Sequence, residues 1–329
     1  MVHKSFDGDC DLSVVIPLYQ SRDCLPELLR QLSQELDGMQ RPYEIILVDD
    51  GSPDDTWDVV CELAESYRRV RAVQLMGNRG QALATLCGLS HARGRIIVTM
   101  DDDLQHPPGE LHKLLAELEG NRHLDCVFGF FPQKAHAAYR NFGSWLMRWV
   151  MQKTFHLPEN IRASTFRAMR RPLVRAILEH RTVNPSLAAL IFSNTRRVKS
   201  ITVDHAPRYA GASHYTLAKQ FRLALDGICT VSTLPLRAVS VAGMAVCGLS
   251  VVLIAIFLFK FATGRIGVAG WTTTVTLISF FAGITLLSLG VFGEYMVRIL
   301  REVRGAPPYV EREHTGCWNT DGSKESIGK

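Results

Sequence analysis

Two stretches of this chain carry no charged side chain, residues 239–259 and 271–292, and at the helical rise each is long enough to cross the apolar core of a bilayer. Core helices of soluble proteins rarely run so far without a charge. Residues 260–270 form a short connection, so the pattern predicts a two-helix transmembrane hairpin over 236–299, with both long flanking segments on one side. Lys219, Arg222 and Arg237 precede the first stretch and Arg298, Arg301 and Arg304 follow the second, against Lys260 and Arg265 in the connection. The positive-inside rule places the flanks in the cytoplasm. Residues 1–11 are polar and acidic and lack the apolar region of a signal peptide, which predicts that the polar part is not exported by that route.

Upstream, three short apolar runs, 12–16 (LSVVI), 44–48 (EIILV) and 96–98 (IIV), are separated by polar segments compatible with helices. That alternation predicts β-α-β units and a parallel sheet. Each run stops at turn chemistry: Pro17-Leu18-Tyr19, Asp49-Asp50-Gly51-Ser52-Pro53, and Asp101-Asp102-Asp103. Right-handed crossovers put the three loops on one rim, where open α/β sheets bind ligands. In a locally extended backbone Asp101, Asp103 and Gln105 point one way and Asp102 the other. Two carboxylates and an amide oxygen on one side are the hard ligands of Mg²⁺ or Mn²⁺. A solvated acidic turn before Pro107 and Pro108 accounts for the same residues.

The chain is 47% hydrophobic with a formal charge of +5. This modest basic excess gives no reason to invoke nucleic acid and suits an anionic membrane surface. Eight cysteines lack CxxC spacing and read as small buried side chains in a reducing compartment, not as disulfides or zinc ligands. Phe142, Trp145, Leu146, Trp149 and Val150 share one helical face, flanked by Arg140, Arg148 and Lys153. Such a helix lies in a lipid interface or packs on the sheet or a partner subunit. Residues 311–329 are polar and aperiodic and are expected to form a disordered tail.

Taken together, Ser13-Val14-Val15-Ile16-Pro17, Val48-Asp49-Asp50-Gly51-Ser52, Asn78-Arg79-Gly80-Gln81 and Asp101-Asp102-Asp103-Leu104-Gln105 resemble the GT-A glycosyltransferases of family 2. More narrowly they resemble its polyprenyl-phosphate branch, which includes dolichol-phosphate mannose synthases, bactoprenol glucosyl transferases and undecaprenyl-phosphate aminoarabinose transferases. The likeness runs from Leu12 to about Tyr309. It implies an α/β GT-A, Rossmann-like, mainly parallel domain: a nucleotide-sugar region over 12–135, an acceptor region over 136–235, then the hairpin and a cytoplasmic segment over 300–329. It further implies a bacterial inner-membrane, multi-pass enzyme that moves sugar, with inversion, from a nucleotide-sugar donor, UDP favoured over GDP, to polyprenyl phosphate. Bacterial members suggest a homotetramer.

The resemblance also assigns residues. Pro17, Tyr19, Asp49, Asp50, Gly80, Gln81, Asp101 and Asp102 fall on the nucleotide-sugar site, with Asp50 at the base. Asp101, Asp103 and Gln105 are the metal positions. Asp103, Arg167, Arg208, Ser213 and His214 are the catalytic set, and Arg140, Trp145, Arg148 and Trp149 the lipid-interface set. Three positions depart from the family pattern: Asp102 replaces an alanine, His214 a lysine, and Ile161 an aspartate that the pattern offers as a base. A lysine stays charged at neutral pH whereas histidine titrates near it, so His214 reads either as weaker or pH-dependent phosphate binding or as a plain exposed substitution. Two other functions suit parts of the sequence. A processive polysaccharide synthase needs Gln-x-x-Arg-Trp and more spans, and Trp145 stands where the glutamine would be. A scaffold that binds nucleotide sugar or lipid accounts for Ile161 and His214 but not for intact Asp101, Asp103 and Gln105.

Overall fold

The computed structural model describes residues 10–130, 161–180, 182, 185–204, 270–303 and 307–316, with single positions scattered between 239 and 263. The chain divides into two compact units, one formed by Met1–Thr216 with Pro307–Lys329 and the other by Leu217–Ala306.

The first unit is built on an eight-stranded sheet in the order β7-β5-β6-β4-β1-β2-β3-β8. Strands β1 (Leu12–Leu18), β2 (Tyr43–Asp49), β3 (Val70–Leu75) and β4 (Ile96–Thr99) run parallel. Every residue in these four strands is buried, as expected for a sheet covered on both faces. Helices α1 (Leu25–Gly38), α2 (Thr56–Ser66) and α3 (Gln81–His91) make the crossovers. Two apolar clusters flank the sheet, one around α1 and α4 (Leu111–Gly120), the other around α3. Helix α3 comes so close that a Cβ on Gly88 would lie 2.3 Å from Val15 Cγ1.

After β1 the chain builds outward through β2 and β3, then crosses back to lay β4 on the other side of β1. The β1–β4 junction is therefore the topological switch point, where the loops diverge and leave a crevice. Beyond it, β6 (Arg167–Arg170) is antiparallel to both β4 and β5 (Cys126–Phe130), and β7 (Val198–Thr202) runs parallel to β5. Helices α5 (Arg171–Leu178) and α6 (Leu187–Asn194) follow β6.

One expectation fails. Residues 311–316 are not a disordered tail: Glu311–Gly316 forms β8, an antiparallel edge strand on β3. Its side chains are mostly exposed, so it has no periodic apolar signature. Pairing through backbone hydrogen bonds needs none, and charged side chains are usual on a sheet edge.

In the second unit, α7 (Trp271–Val303) is a continuous helix of 33 residues, about 50 Å long at the helical rise. It contains an 18-residue window, Phe280–Val297, of mean hydropathy 1.6, long and apolar enough to cross a membrane. Most of the expected first span, 239–259, lies outside the described residues.

Candidate active site

The carboxyl ends of β1, β2 and β4 carry their loops to one rim. In the loop after β2, Gly51 has φ +64°, and a Cβ there would lie 2.7 Å from Gly77 Cα. Only glycine meets both demands without strain. Asp49 is buried and accepts hydrogen bonds from the Ser52 hydroxyl (2.5 Å), the Ser52 amide (3.2 Å) and Gln74 Nε2 (3.1 Å). Asp50, also buried, accepts the backbone amides of Arg79 and Gly80, each at 2.7 Å. Burial raises its pKa, and the two amides oppose that shift. Asp50 thus ties the 78–80 loop, and through it the start of α3, to the end of β2. Tyr19, after β1, is exposed.

The third loop departs from the expected extended backbone. Strand β4 ends at Thr99, residues 102–106 form a series of bends, and Leu104 adopts φ +58°. The alternating-side argument for Asp101, Asp103 and Gln105 therefore has no regular strand to act on. Hydrogen bonds set the orientations instead. Asp101 accepts from Gln81 Nε2 (2.6 Å) and Thr165 Oγ1 (2.7 Å). Asp102 accepts from the Ser21 hydroxyl, and Asp103 Oδ1 from the Gln105 amide at 3.1 Å. Burial raises the pKa of Asp101, the Asp103 charge adds to the rise, and Thr165 and Arg167 oppose it. Asp102 is pushed up to about 6, again chiefly by burial and against the Ser21 hydrogen bond.

Arg167 opens β6 beside these carboxylates. It is buried, and its Nε donates to Thr99 Oγ1 (3.0 Å), whose hydroxyl donates to the Thr165 carbonyl (2.6 Å). Burial lowers its pKa to about 10, opposed by the charge of Asp101, so it remains a cation at neutral pH. A cavity of about 400 Å³ opens here, with Pro17, Gln81, Thr99, Asp101, Thr165 and Arg167 in its wall, together with the N-terminus of α6.

Of the positions named from sequence, Pro17, Gln81, Asp101 and Arg167 meet around this cavity. Asp49 and Asp50 brace the adjoining loop. Gly80 is the left-handed residue (φ +91°) that precedes α3. Ile161 is buried in the apolar cluster around α3. Arg140, Trp145, Arg148, Trp149, Arg208, Ser213 and His214 lie outside the described residues. Sequence reasoning missed Ser21 and Thr165. The signal for each is only a hydroxyl in a loop, and the acid it serves is 81 and 64 residues away respectively.

Comparison with known proteins agrees with this layout. Residues 13–178 match the family described as glycosyl transferase family 2. The undecaprenyl-phosphate 4-deoxy-4-formamido-L-arabinose transferase of Edwardsiella ictaluri is 33% identical over 301 residues, 91% of this chain and 92% of that protein. Its counterpart in Yersinia enterocolitica is 32% identical over 318 residues, covering 95% of this chain and 96% of the relative. Among solved structures, glucosyl-3-phosphoglycerate synthase of Mycobacterium tuberculosis in complex with Mn²⁺, UDP and glucosyl-3-phosphoglycerate has a TM-score of 0.51 at 20% identity, over 68% of this chain and 78% of that one. That similarity establishes the GT-A, Rossmann-like fold. With a family match across half its length and relatives above 30% identity across nine tenths of it, the chain belongs to glycosyl transferase family 2.

Proposed function

We propose that this glycosyltransferase is anchored in the bacterial inner membrane by the helix pair and moves a sugar, with inversion, from a UDP-sugar to undecaprenyl phosphate at the cytoplasmic face. The observation that carries the reading is the switch-point cavity, in which Asp101 and the buried cation Arg167 stand close enough to shift each other's titration. The relatives named for undecaprenyl phosphate, which align with this chain almost end to end, supply the acceptor class.

The donor set fits a hard divalent cation. Asp101, Asp103 and Gln105 offer oxygen ligands of the kind that Mg²⁺ or Mn²⁺ takes. The two hydrogen bonds on Asp101 leave lone pairs on both of its oxygens. A cation held there would neutralise charge on the departing diphosphate. The chain's own residues do the remaining work. Gln81 and Thr165 fix the Asp101 carboxylate, and Asp50 holds the 78–80 loop against β2. Arg167 contributes a fixed positive charge in a site partly screened from water, where such a charge acts most strongly on developing anions.

A phosphate monoester is largely dianionic at neutral pH. The acceptor oxygen therefore attacks the anomeric carbon without a general base, the bond to the nucleoside diphosphate breaks, and no proton need be removed. On this reading the site needs no acid at position 161, where Ile161 is buried. The catalytic task is to hold two anionic groups in line, and Arg208, Ser213 and His214 are the further residues assigned to it. The test is transfer in membranes containing the protein, given undecaprenyl phosphate, Mg²⁺ or Mn²⁺, and a panel of radiolabelled UDP- and GDP-sugars. Label in the lipid phase with a UDP-sugar supports the reading. Nucleotide binding without transfer from any donor favours the scaffold. Arg208→Ala is expected to raise the lipid or donor concentration needed for half-maximal rate. An unchanged kinetic profile would give Arg208 a structural role.

A further inference from the structure

Away from the cavity, helix α3 and strand β8 bring together a second set of chemically distinctive side chains. Cys87 and His91 sit one helical turn apart on α3, and Glu311 opens β8. One ligand atom from each of the three lies within 4.8 Å of the other two. Glu311 Oε1 is 3.4 Å from Cys87 Sγ and 2.9 Å from His91 Nε2. The other oxygen, Oε2, is 3.0 Å from His314 Nε2, and the two imidazoles meet edge to face with centroids 5.7 Å apart. Cys87 is buried, and the other three are half-buried or at the surface.

We propose that Cys87, His91 and Glu311 form a structural zinc site, completed by His314, that fastens β8 to α3. Ligand atoms around a tetrahedral zinc lie roughly 3 to 4 Å apart, given metal–ligand bonds of about 2.0–2.3 Å, and the two separations from Oε1 already fall near that range. A thiolate with imidazoles selects zinc over the hard cations Mg²⁺ and Mn²⁺. Binding releases the thiol proton of Cys87 to solvent and uses the Nε2 lone pair of His91, the tautomer protonated at Nδ1. The spacing, C-x₃-H on a helix and E-x₂-H more than two hundred residues later, contains no CxxC. The sequence expectation that no cysteine is a zinc ligand would fail at this one position.

The location gives the site a purpose independent of catalysis. β8 follows the whole 217–306 unit, and among the described residues its strand partner is β3 alone. Its side chains bury little apolar area, so beyond backbone pairing with β3 this mostly exposed edge strand is held by polar side-chain contacts, Glu313 accepting from Trp57 Nε1 (3.3 Å) and Glu311 meeting Cys87 and His91. A metal bridging β8 to the buried face of α3 would add binding free energy that the unfolded edge lacks.

The test uses the full-length protein purified in detergent. Metal analysis should find about one zinc per chain, and Cys87→Ala and His91→Ala should each lower that content at least roughly tenfold while nucleotide binding is retained. Amide exchange in residues 311–316 should accelerate in Cys87→Ala and in chelator-stripped wild type. Cobalt added to stripped wild type should show a thiolate charge-transfer band. This arm needs no substitution and decides the matter even if Cys87→Ala does not fold. Wild-type protein with no stoichiometric zinc and no such band, or zinc retained undiminished in Cys87→Ala, would overturn the proposal.

Discussion

The two ends of the parallel sheet both bury acidic side chains, and they treat them differently. At the amino end, Glu44 on β2 accepts from Ser13 Oγ on β1 (2.6 Å), from the Arg93 amide (2.7 Å) and from Arg71 on β3. Arg71 also donates to the His91 carbonyl (3.0 Å), and Ser13 Oγ accepts from the Gly94 amide (2.8 Å). This network joins three strands to the end of α3, and both charged partners are almost wholly buried. At the carboxyl end, Asp101 and Arg167 lie beside each other without a direct ion pair between them, on the wall of a cavity. A saturated buried carboxylate holds structure together. One whose burial raises its pKa while it faces a cavity is organised for a ligand that brings its own charge.

That contrast can be broken by substitution, and the largest effect is expected at the carboxyl end. Asp103→Asn should lower transfer by at least about 100-fold and leave the thermal midpoint unchanged. Turnover within a few-fold of wild type would remove the metal role assigned to it. At the amino end the pattern should reverse. Glu44→Ala strands the buried Arg71 guanidinium and should destabilise the fold by about 3 kcal/mol, read as a lower unfolding midpoint, while the folded fraction keeps its donor affinity. Loss of affinity at full stability would show that the two ends are coupled.

Asp102 sharpens the comparison through pH. Its carboxyl is raised from the model-compound value of 3.8 to about 6, so the folded state holds its proton more tightly than the unfolded chain does. This contribution to stability is complete below about pH 4 and is lost as pH rises through about 6. Without divalent metal, Asp102→Asn should therefore stabilise the protein at pH 8 by up to about 3 kcal/mol and change little at pH 4. An equal gain at both pH values would trace the effect to packing instead. The smallest change is expected for Ser21→Ala. Losing the hydroxyl that Asp102 accepts from should cost about 1 kcal/mol and move the Asp102 titration still higher, measurable by carboxyl NMR. A downward move would mean that the serine does not stabilise the ionised form.

How far the sequence reveals this fold depends on what each strand buries. β1, β2 and β4 are legible because their runs are apolar, and the crossover rule puts the loops at their carboxyl ends on one rim. β3 is not, because its VRAVQL pattern places Arg71 and Gln74 where a buried strand is expected to be apolar. Both are accommodated by acids on β2, Glu44 and Asp49, an arrangement visible only once the strands are paired. The same distinction runs through the site. Asp101, Gln81 and Arg167 carry family patterns, whereas Ser21 and Thr165 are anonymous hydroxyls until topology delivers them to Asp102 and Asp101. The backbone expected to be extended from Asp101 to Gln105 is bent instead, because a left-handed Leu104 has no sequence signal of its own.

The late position of β8 bears on how the protein is made. A ribosome that has finished β3 must add roughly 240 further residues, including the long apolar helix, before the strand that covers β3 exists. At common synthesis rates that interval is on the order of ten to fifty seconds. Throughout it the nascent sheet presents β3, a strand of buried residues, as an open edge. An exposed edge of this kind invites pairing with other chains. Faster synthesis of the downstream segment therefore shortens the period in which the nascent chain is most prone to aggregate, and a chain cut short before residue 311 would never leave it.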